Sequence, residues 1–372
     1  MNVESAVLER YTQGARERVE ALCCPVDYDT GLLQLLPQEI IDKDYGCGDP
    51  SRYVKEGDVV LDLGSGSGKI CYMAAQLVGG AGRVIGVDMN DEMLGLARKY
   101  RQEMADKLGS DRVIFHKGFI QDLALDVTAM EAWLREHPVT DIESHQQLEQ
   151  WKQTQRRTAP LIPDNSVDLV ISNCVLNLVS DQQKAQLVGE IFRVVRPGGR
   201  VAISDIISDE HVPQSMKDDA GLWSGCISGA FQEQEMLQAF QQAGFQALAY
   251  DKWGGEPWQV INGIEFRTVT ITAIKPEGSE CWDRGHAVIY RGPFSYVQDD
   301  DGHEFPRGER MAVCERTYRM LTGGPYRDDF IGIPPAVERE AVAWCAPAGT
   351  RRPAAESKGA QHTNSCERSS CC

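Results

Sequence analysis

The sequence predicts an α/β fold, a parallel sheet covered by helices on both faces, followed by a small strand-rich unit. Three observations predict it. Apolar runs of strand length recur from Val59 onward, separated by stretches with helical spacing. The runs are apolar throughout rather than alternating, as in strands buried on both faces. The chain of 372 residues exceeds a single typical domain and leaves room for a second, smaller one.

Residues 1–50 read as an N-terminal helical cap. Val7, Leu8, Tyr11 and Ala15 share one helical face, and the chain then turns irregular through Cys23-Cys24-Pro25 and Tyr45-Gly46-Cys47-Gly48. Residues 51–275 hold the sheet, with apolar runs at 59–63, 83–88, 113–115, 167–172 and 200–204 and a helical stretch at 69–77. Residues 124–160, rich in Glu, Gln, His and Arg and carrying Trp133 and Trp151, interrupt this rhythm as a helical surface insertion with no assigned chemistry. After Gly244 a strand-rich stretch, 260–266 and 268–273, either closes the sheet or leads into the next domain. Residues 276–345 form the small C-terminal domain, and 346–372, rich in Ala, Ser, Pro and Gly, a disordered cysteine-containing tail.

The formal charge of −17 repels phosphate backbones, and no Lys/Arg run interleaved with aromatics overrides it, so nucleic acid is excluded as a partner. The polar N-terminus lacks the basic start and apolar stretch of a signal peptide, and no apolar run is long enough to cross a bilayer. These features place the protein in the cytosol; a monomer is the default expectation, and nothing in the sequence fixes the oligomeric state. In that compartment the 12 cysteines are not a ready-made disulfide framework, and their positions need individual explanations.

Asp62-Leu63-Gly64-Ser65-Gly66-Ser67-Gly68 follows a strand and opens a helix, the context of a glycine-rich nucleotide loop. Asp88 ends the next strand, roughly twenty residues on, where a carboxylate takes ribose hydroxyls. The G-x-G-x-G spacing differs from the G-x-G-x-x-G that backs a pyrophosphate, so a ligand with ribose and adenine but no phosphate fits best. A structural turn and a nicotinamide cofactor are the competing readings. The segment Gly118-Phe119-Ile120-Gln121-Asp122 and the turn Arg196-Pro197-Gly198-Gly199 follow in the order found in class I methyltransferases, which this part of the chain resembles.

Four cysteines fall near the expected ligand site. Cys71 lies on the first helical turn after the glycine loop, Cys174 just beyond a strand at the carboxyl edge, Cys226 in a small-residue segment after the next strand, and Cys47 in the cap. Each alone reads as a small buried hydrophobe. Together, soft thiolates select a thiophilic ion, and a trivalent metalloid suits three sulfurs, whereas zinc needs a fourth ligand for which no Cys-x-x-Cys or histidine pair is present.

At these residues the chain resembles the arsenite S-adenosylmethionine methyltransferases. The matching stretches are Tyr45-Gly-Cys47-Gly, the 62–68 loop with Cys71, Ile171-Ser-Asn173-Cys174-Val-Leu-Asn-Leu-Val179, Arg196-Pro-Gly-Gly199 and Leu222-Trp-Ser-Gly-Cys226. The resemblance implies a Rossmann-like class I methyltransferase domain that methylates arsenite and methylarsenite with S-adenosylmethionine. It implies arsenic ligation by Cys71, Cys174 and Cys226, with Cys47 as their redox partner, and cofactor contacts from Asp62, Gly64, Ser65, Gly66, Gly68, Asp88, Met89, Phe119, Ile120 and Asn173. A thiol reductant, glutathione or thioredoxin, then reopens the disulfide formed in turnover, for which Cys47 and Cys71 are one expected pair. The start of the helix at Gly68 is expected to favour the Cys71 thiolate. An organic methyl acceptor and a non-catalytic metalloid-binding protein remain the alternatives.

Overall fold

In the computed structural model the described residues are 3–16, 26–278, 280–337, 339–347 and 349–357. The chain divides into two compact units, 1–276 and 277–372.

The first unit is built on one sheet. Its strands are β1 (Val59–Leu63), β2 (Arg83–Asp88), β3 (Val113–Lys117), β4 (Val167–Asn173), β5 (Val195–Ser208), β6 (Phe231–Gln232), β7 (Gln246–Trp253), β8 (Gln259–Ile261) and β9 (Ile264–Ile274). The main path runs β3-β2-β1-β4-β5-β9-β7, with β6 on β5 and β8 on β9. β1 to β5 are parallel, and β9 runs antiparallel between β5 and β7, so the stretch after Gly244 completes the sheet.

Strand periodicity divides the apolar residues between two cores. Leu61, Leu63 and Val170 pack on one face with the helices Asp181–Val194 and Glu233–Gln242, whereas Val60 and Ile171 pack on the other with the helix Lys69–Leu77. Burial on both faces is why these strands are apolar at every position. Strand order reverses at β1, which lies between β2 and β4, and the carboxyl ends of β1 and β4 open the crevice where such sheets bind ligands.

The helix Val3–Arg16 closes over that edge. Asn90 Nδ2 donates to Thr12 Oγ1 (3.0 Å), Arg10 to the Gly221 carbonyl (2.8 Å) and Tyr45 Oη to the Gly14 carbonyl (3.0 Å). The 124–160 segment contains the helices Val127–Glu136 and Ile142–Thr158, which pack Trp133 against Trp151. Among the described residues no helix is long and apolar enough to cross a membrane.

The second unit has a three-stranded antiparallel sheet, Arg310–Ala312, Ala287–Tyr290 and Phe330–Ile333, backed by the helix Glu315–Gly323. Val288, Phe305, Leu321 and Phe330 form its core. Cys366, Cys371 and Cys372 of the expected tail, like Cys23 and Cys24, lie outside the described residues.

Candidate active site

The crevice at the carboxyl edge is a cleft walled by the cap helix, the turn after β1 and the ends of β2 and β4. Its floor at one end is the turn after β1. Gly64, Gly66 and Gly68 all have positive φ (66°, 50° and 87°), the left-handed region that glycine enters without cost. A side chain at Gly64 would also collide with Val175, so the two sides of the cleft touch here. Gly68 lies just behind the cleft lining, as the N-cap of the helix Lys69–Leu77.

Asp88 crosses from β2 to brace this turn. Its Oδ2 accepts from the Gly66 backbone N–H (2.9 Å) and its Oδ1 from that of Asn90 (2.8 Å). Burial raises the Asp88 carboxyl above its usual value, against the backbone N–H groups of Asn90, Gly66 and Met89, which lower it. Asp88 lines the cleft with Met89, Phe119 and Ile120. Ser65 Oγ, buried in the same lining, has no hydrogen-bond partner among the described residues. An acid for ribose hydroxyls, apolar walls for a base and an unpaired hydroxyl fit the adenosyl part of S-adenosylmethionine.

Asp62, at the end of β1, is buried under this floor, and burial pushes its carboxyl up to about 8, against a hydrogen bond that lowers it. The donor is Cys71 Sγ, 3.2 Å away. Cys71 was expected to ionise easily at the start of its helix. Instead, burial in the core and the adjacent Asp62 charge raise this thiol well above its ordinary value. Desolvation outweighs the helix dipole, which contributes only about 0.3–1 kcal/mol at such a position.

At its other end the cleft is lined by Asn173 and Cys174, and Cys47 and Cys226 pack behind Cys174. Asn173, the last residue of β4, holds the cap loop: its Oδ1 accepts from the backbone N–H groups of Cys47 (2.9 Å) and Gly48 (3.0 Å), and its Nδ2 donates to the Gly48 carbonyl (2.9 Å). A Cβ on Gly46 would strike this amide, so glycine is needed for the loop to approach. The clamp sets Cys47 beside Cys174, and the two form a disulfide with Cα atoms 5.7 Å apart. Asn173 thus lines the cleft as expected of a cofactor contact, but its amide is committed to the cap loop.

Cys226 completes the group. Its Sγ donates to the Cys174 carbonyl at 3.3 Å, and Cys47, Cys174 and Cys226 pack in one cluster. Cys174 and Cys226 both have positive φ, 60° and 63°. Side chains other than glycine are rarely held in this backbone region, and such residues concentrate at functional sites. Tyr11 of the cap helix reaches the same place, its Oη 4.0 Å from Cys226 Sγ.

The structure therefore brings together Cys47, Cys174 and Cys226, while Cys71 packs in a different cluster behind Asp62. The expected pairing of Cys47 with Cys71 is replaced by Cys47 with Cys174, because Asn173 fixes the cap loop at the end of β4. Asp205 was not anticipated from the sequence. This fully buried carboxylate of β5 lies within 4.8 Å of the Cys47 and Cys174 sulfurs. Burial pushes it up to about 7, against the backbone N–H groups of Ile206, Asn177 and Leu176. An acid inside an apolar strand, Ile203-Ser204-Asp205-Ile206, was the available signal.

Comparison with known proteins shows the family. A family model described as a methyltransferase domain matches residues 54–147 and 139–244, and one described as a domain of unknown function matches residues 277–362. The chain is 32% identical over 312 residues to the arsenite methyltransferase of Aquipseudomonas alcaligenes, covering 80% of each chain. It is 30% identical to the arsenite methyltransferase of Homo sapiens, over 80% of this chain and 73% of that one. The crystal structure of an arsenic(III) S-adenosylmethionine methyltransferase from Chlamydomonas reinhardtii superposes with a TM-score of 0.56 at 28% identity, covering 86% of this chain and 99% of the other. With a Rossmann-like class I methyltransferase fold and these relatives, the chain belongs to the arsenite methyltransferase family.

Proposed function

We propose that this protein methylates trivalent arsenic, as arsenite and methylarsenite, with S-adenosylmethionine as methyl donor, in arsenic detoxification. The observation that carries this reading is the convergence of Cys47 and Cys226 on Cys174, which lines one end of a cleft whose other end is the Gly64–Gly68 turn braced by Asp88. The reaction takes place in the cytosol on a monomeric enzyme, with thioredoxin or glutathione as reductant.

When bound, the cofactor supplies an electrophilic methyl group on a sulfonium. Asp88, Met89, Phe119 and Ile120 hold its adenosyl part. The thiols of Cys174 and Cys226 hold arsenic with its lone pair free to take the methyl. Cys47 stands in place for a third sulfur, whereas Cys71 reaches arsenic only by breaking its bond to Asp62. The enzyme contributes chiefly proximity and orientation, since a lone-pair nucleophile has no proton to lose.

Transfer oxidises arsenic from the trivalent to the pentavalent state. The sulfur of Cys47 then attacks that of Cys174. The electron pair of the Cys174–arsenic bond passes to arsenic, which returns to the trivalent state as the disulfide forms. On this reading the Cys47–Cys174 disulfide is the spent form, and a dithiol reductant, itself oxidised to a disulfide, restores both thiols.

The test is transfer of labelled methyl from S-adenosylmethionine to arsenite with thioredoxin or glutathione present. Methylarsenicals formed by the wild type and not by Cys174→Ser are expected. Cofactor binding with no arsenic methylation would favour an organic acceptor.

A further inference from the structure

The second unit carries a group of thiols that this reaction does not use. The strands Trp282–Asp283 and Val342–Ala343 pair antiparallel, and the backbone bond from the Trp344 N–H to the Cys281 carbonyl (2.8 Å) extends the pairing by one residue. That register brings Cys281 and Cys345 together with their Sγ atoms 3.5 Å apart. Cys281 is partly buried and Cys345 exposed, so both are open to small molecules. Buried Cys314, which caps the helix Glu315–Gly323, lies behind Cys281.

A disulfide holds its sulfurs about 2 Å apart. Two sulfurs bonded to one thiophilic centre at about 2.3 Å, splayed by a little over a right angle, fall about 3.5 Å apart. The pair thus has the spacing of two ligands on a shared centre. Soft sulfur selects a soft centre. Of the two thiols that solvent reaches, each can replace one oxygen substituent, which leaves the third position of a trivalent centre for a group that does not exchange.

We propose that Cys281 and Cys345 form a dithiol site for a trivalent arsenical bearing one organic substituent, the class that includes the product of a first methyl transfer. The choice of arsenic rests on the function proposed above; the dithiol geometry does not. Two As–S bonds form and two As–O bonds break, and each thiol proton leaves with a hydroxide as water. Arsenic stays trivalent, so the step needs no oxidant or reductant.

The test uses full-length reduced protein with phenylarsine oxide, a trivalent arsenical with one organic substituent, as the probe. Thiols left accessible are then alkylated with iodoacetamide and located by peptide mass spectrometry. Cys345 is expected to be alkylated without the probe and to lose that alkylation with it, and Cys281→Ser is expected to restore alkylation of Cys345. Equal alkylation of Cys345 with and without the probe would overturn the proposal. So would a Cys281–Cys345 disulfide that persists in the reduced protein. The same digest reports Cys174 and Cys226 separately. Protection there alone overturns the second site and leaves the catalytic reading standing, and protection at Cys345 alone does the reverse.

Discussion

The two ends of the cleft are built from different materials. At the cofactor end the work is done by backbone: three glycines in left-handed conformations, braced by the Asp88 carboxylate through the N–H groups of Gly66 and Asn90. At the thiol end it is done by side chains. Cys47, Cys174, Cys226 and Asp205 come from four separate segments, and two of the cysteines are themselves held at positive φ. A ligand gripped by several backbone groups loses affinity gradually when a neighbour changes. A soft ion gripped by two or three sulfurs loses its site with one atom. The comparison predicts that substitutions at the two ends separate cleanly in what they impair.

The largest effect is expected from Cys174→Ser. Loss of an arsenic ligand should lower methyl transfer to arsenite on the order of a thousandfold or more, because positioning supplies most of the rate. Calorimetry should find cofactor affinity unchanged. Next comes Asp88→Ala, which removes a charged acceptor. With charge-assisted hydrogen bonds worth about 1.5–3 kcal/mol each, the cofactor Kd should rise about a hundredfold. Binding of arsenite to the thiols, followed by equilibrium dialysis, should not change.

Asn173→Ala sharpens the comparison, since Asn173 lines the cleft but holds the cap loop. Backbone N–H groups left without an acceptor cost about 1–3 kcal/mol, a loss that denaturant unfolding should detect. The Cys47–Cys174 disulfide should also form more slowly on oxidation, while cofactor affinity changes little. If the variant instead loses the cofactor and keeps the disulfide, the division between the ends fails.

The smallest effect concerns pH. Burial raises Asp205 to about 7 and Asp62 to about 8, from ordinary values near 4. A group raised on folding contributes stability that is complete below its unfolded pKa and is lost as pH rises through its folded one. The thermal midpoint of the wild type should therefore fall between about pH 4 and pH 8, beyond what other groups contribute. Asp205→Asn should flatten the lower part of that decline. An unchanged profile in Asp205→Asn would show that this carboxyl does not titrate in that range.

The same contrast explains what the sequence disclosed. The glycine turn, the helix that follows it and Asp88 lie within one strand-turn-helix-strand unit, so spacing alone identified them. The chain after Gly244 was recognised as strand-rich, although nothing local shows that β9 inserts beside β5. The thiol end has no comparable local record. Cys47 and Cys174 are 127 residues apart, and no pattern in the chain states which two of 12 cysteines meet. Gly46-Cys47-Gly48 was visible as irregular chain, but its purpose depends on Asn173, a residue of another element. Cys71 was misjudged because its place on a helical turn is local, whereas its burial against Asp62 is a property of the packed core.

The central claim is that arsenic is held by the thiols at the Cys174 end of the cleft. The direct measurement is X-ray absorption at the arsenic edge on reduced full-length protein loaded with one equivalent of arsenite. A sulfur shell should be present in the wild type and should lose a sulfur in Cys226→Ser, and again in whichever of Cys47→Ser and Cys71→Ser removes the third ligand. A sulfur shell unaltered by Cys174→Ser and Cys226→Ser would contradict the account.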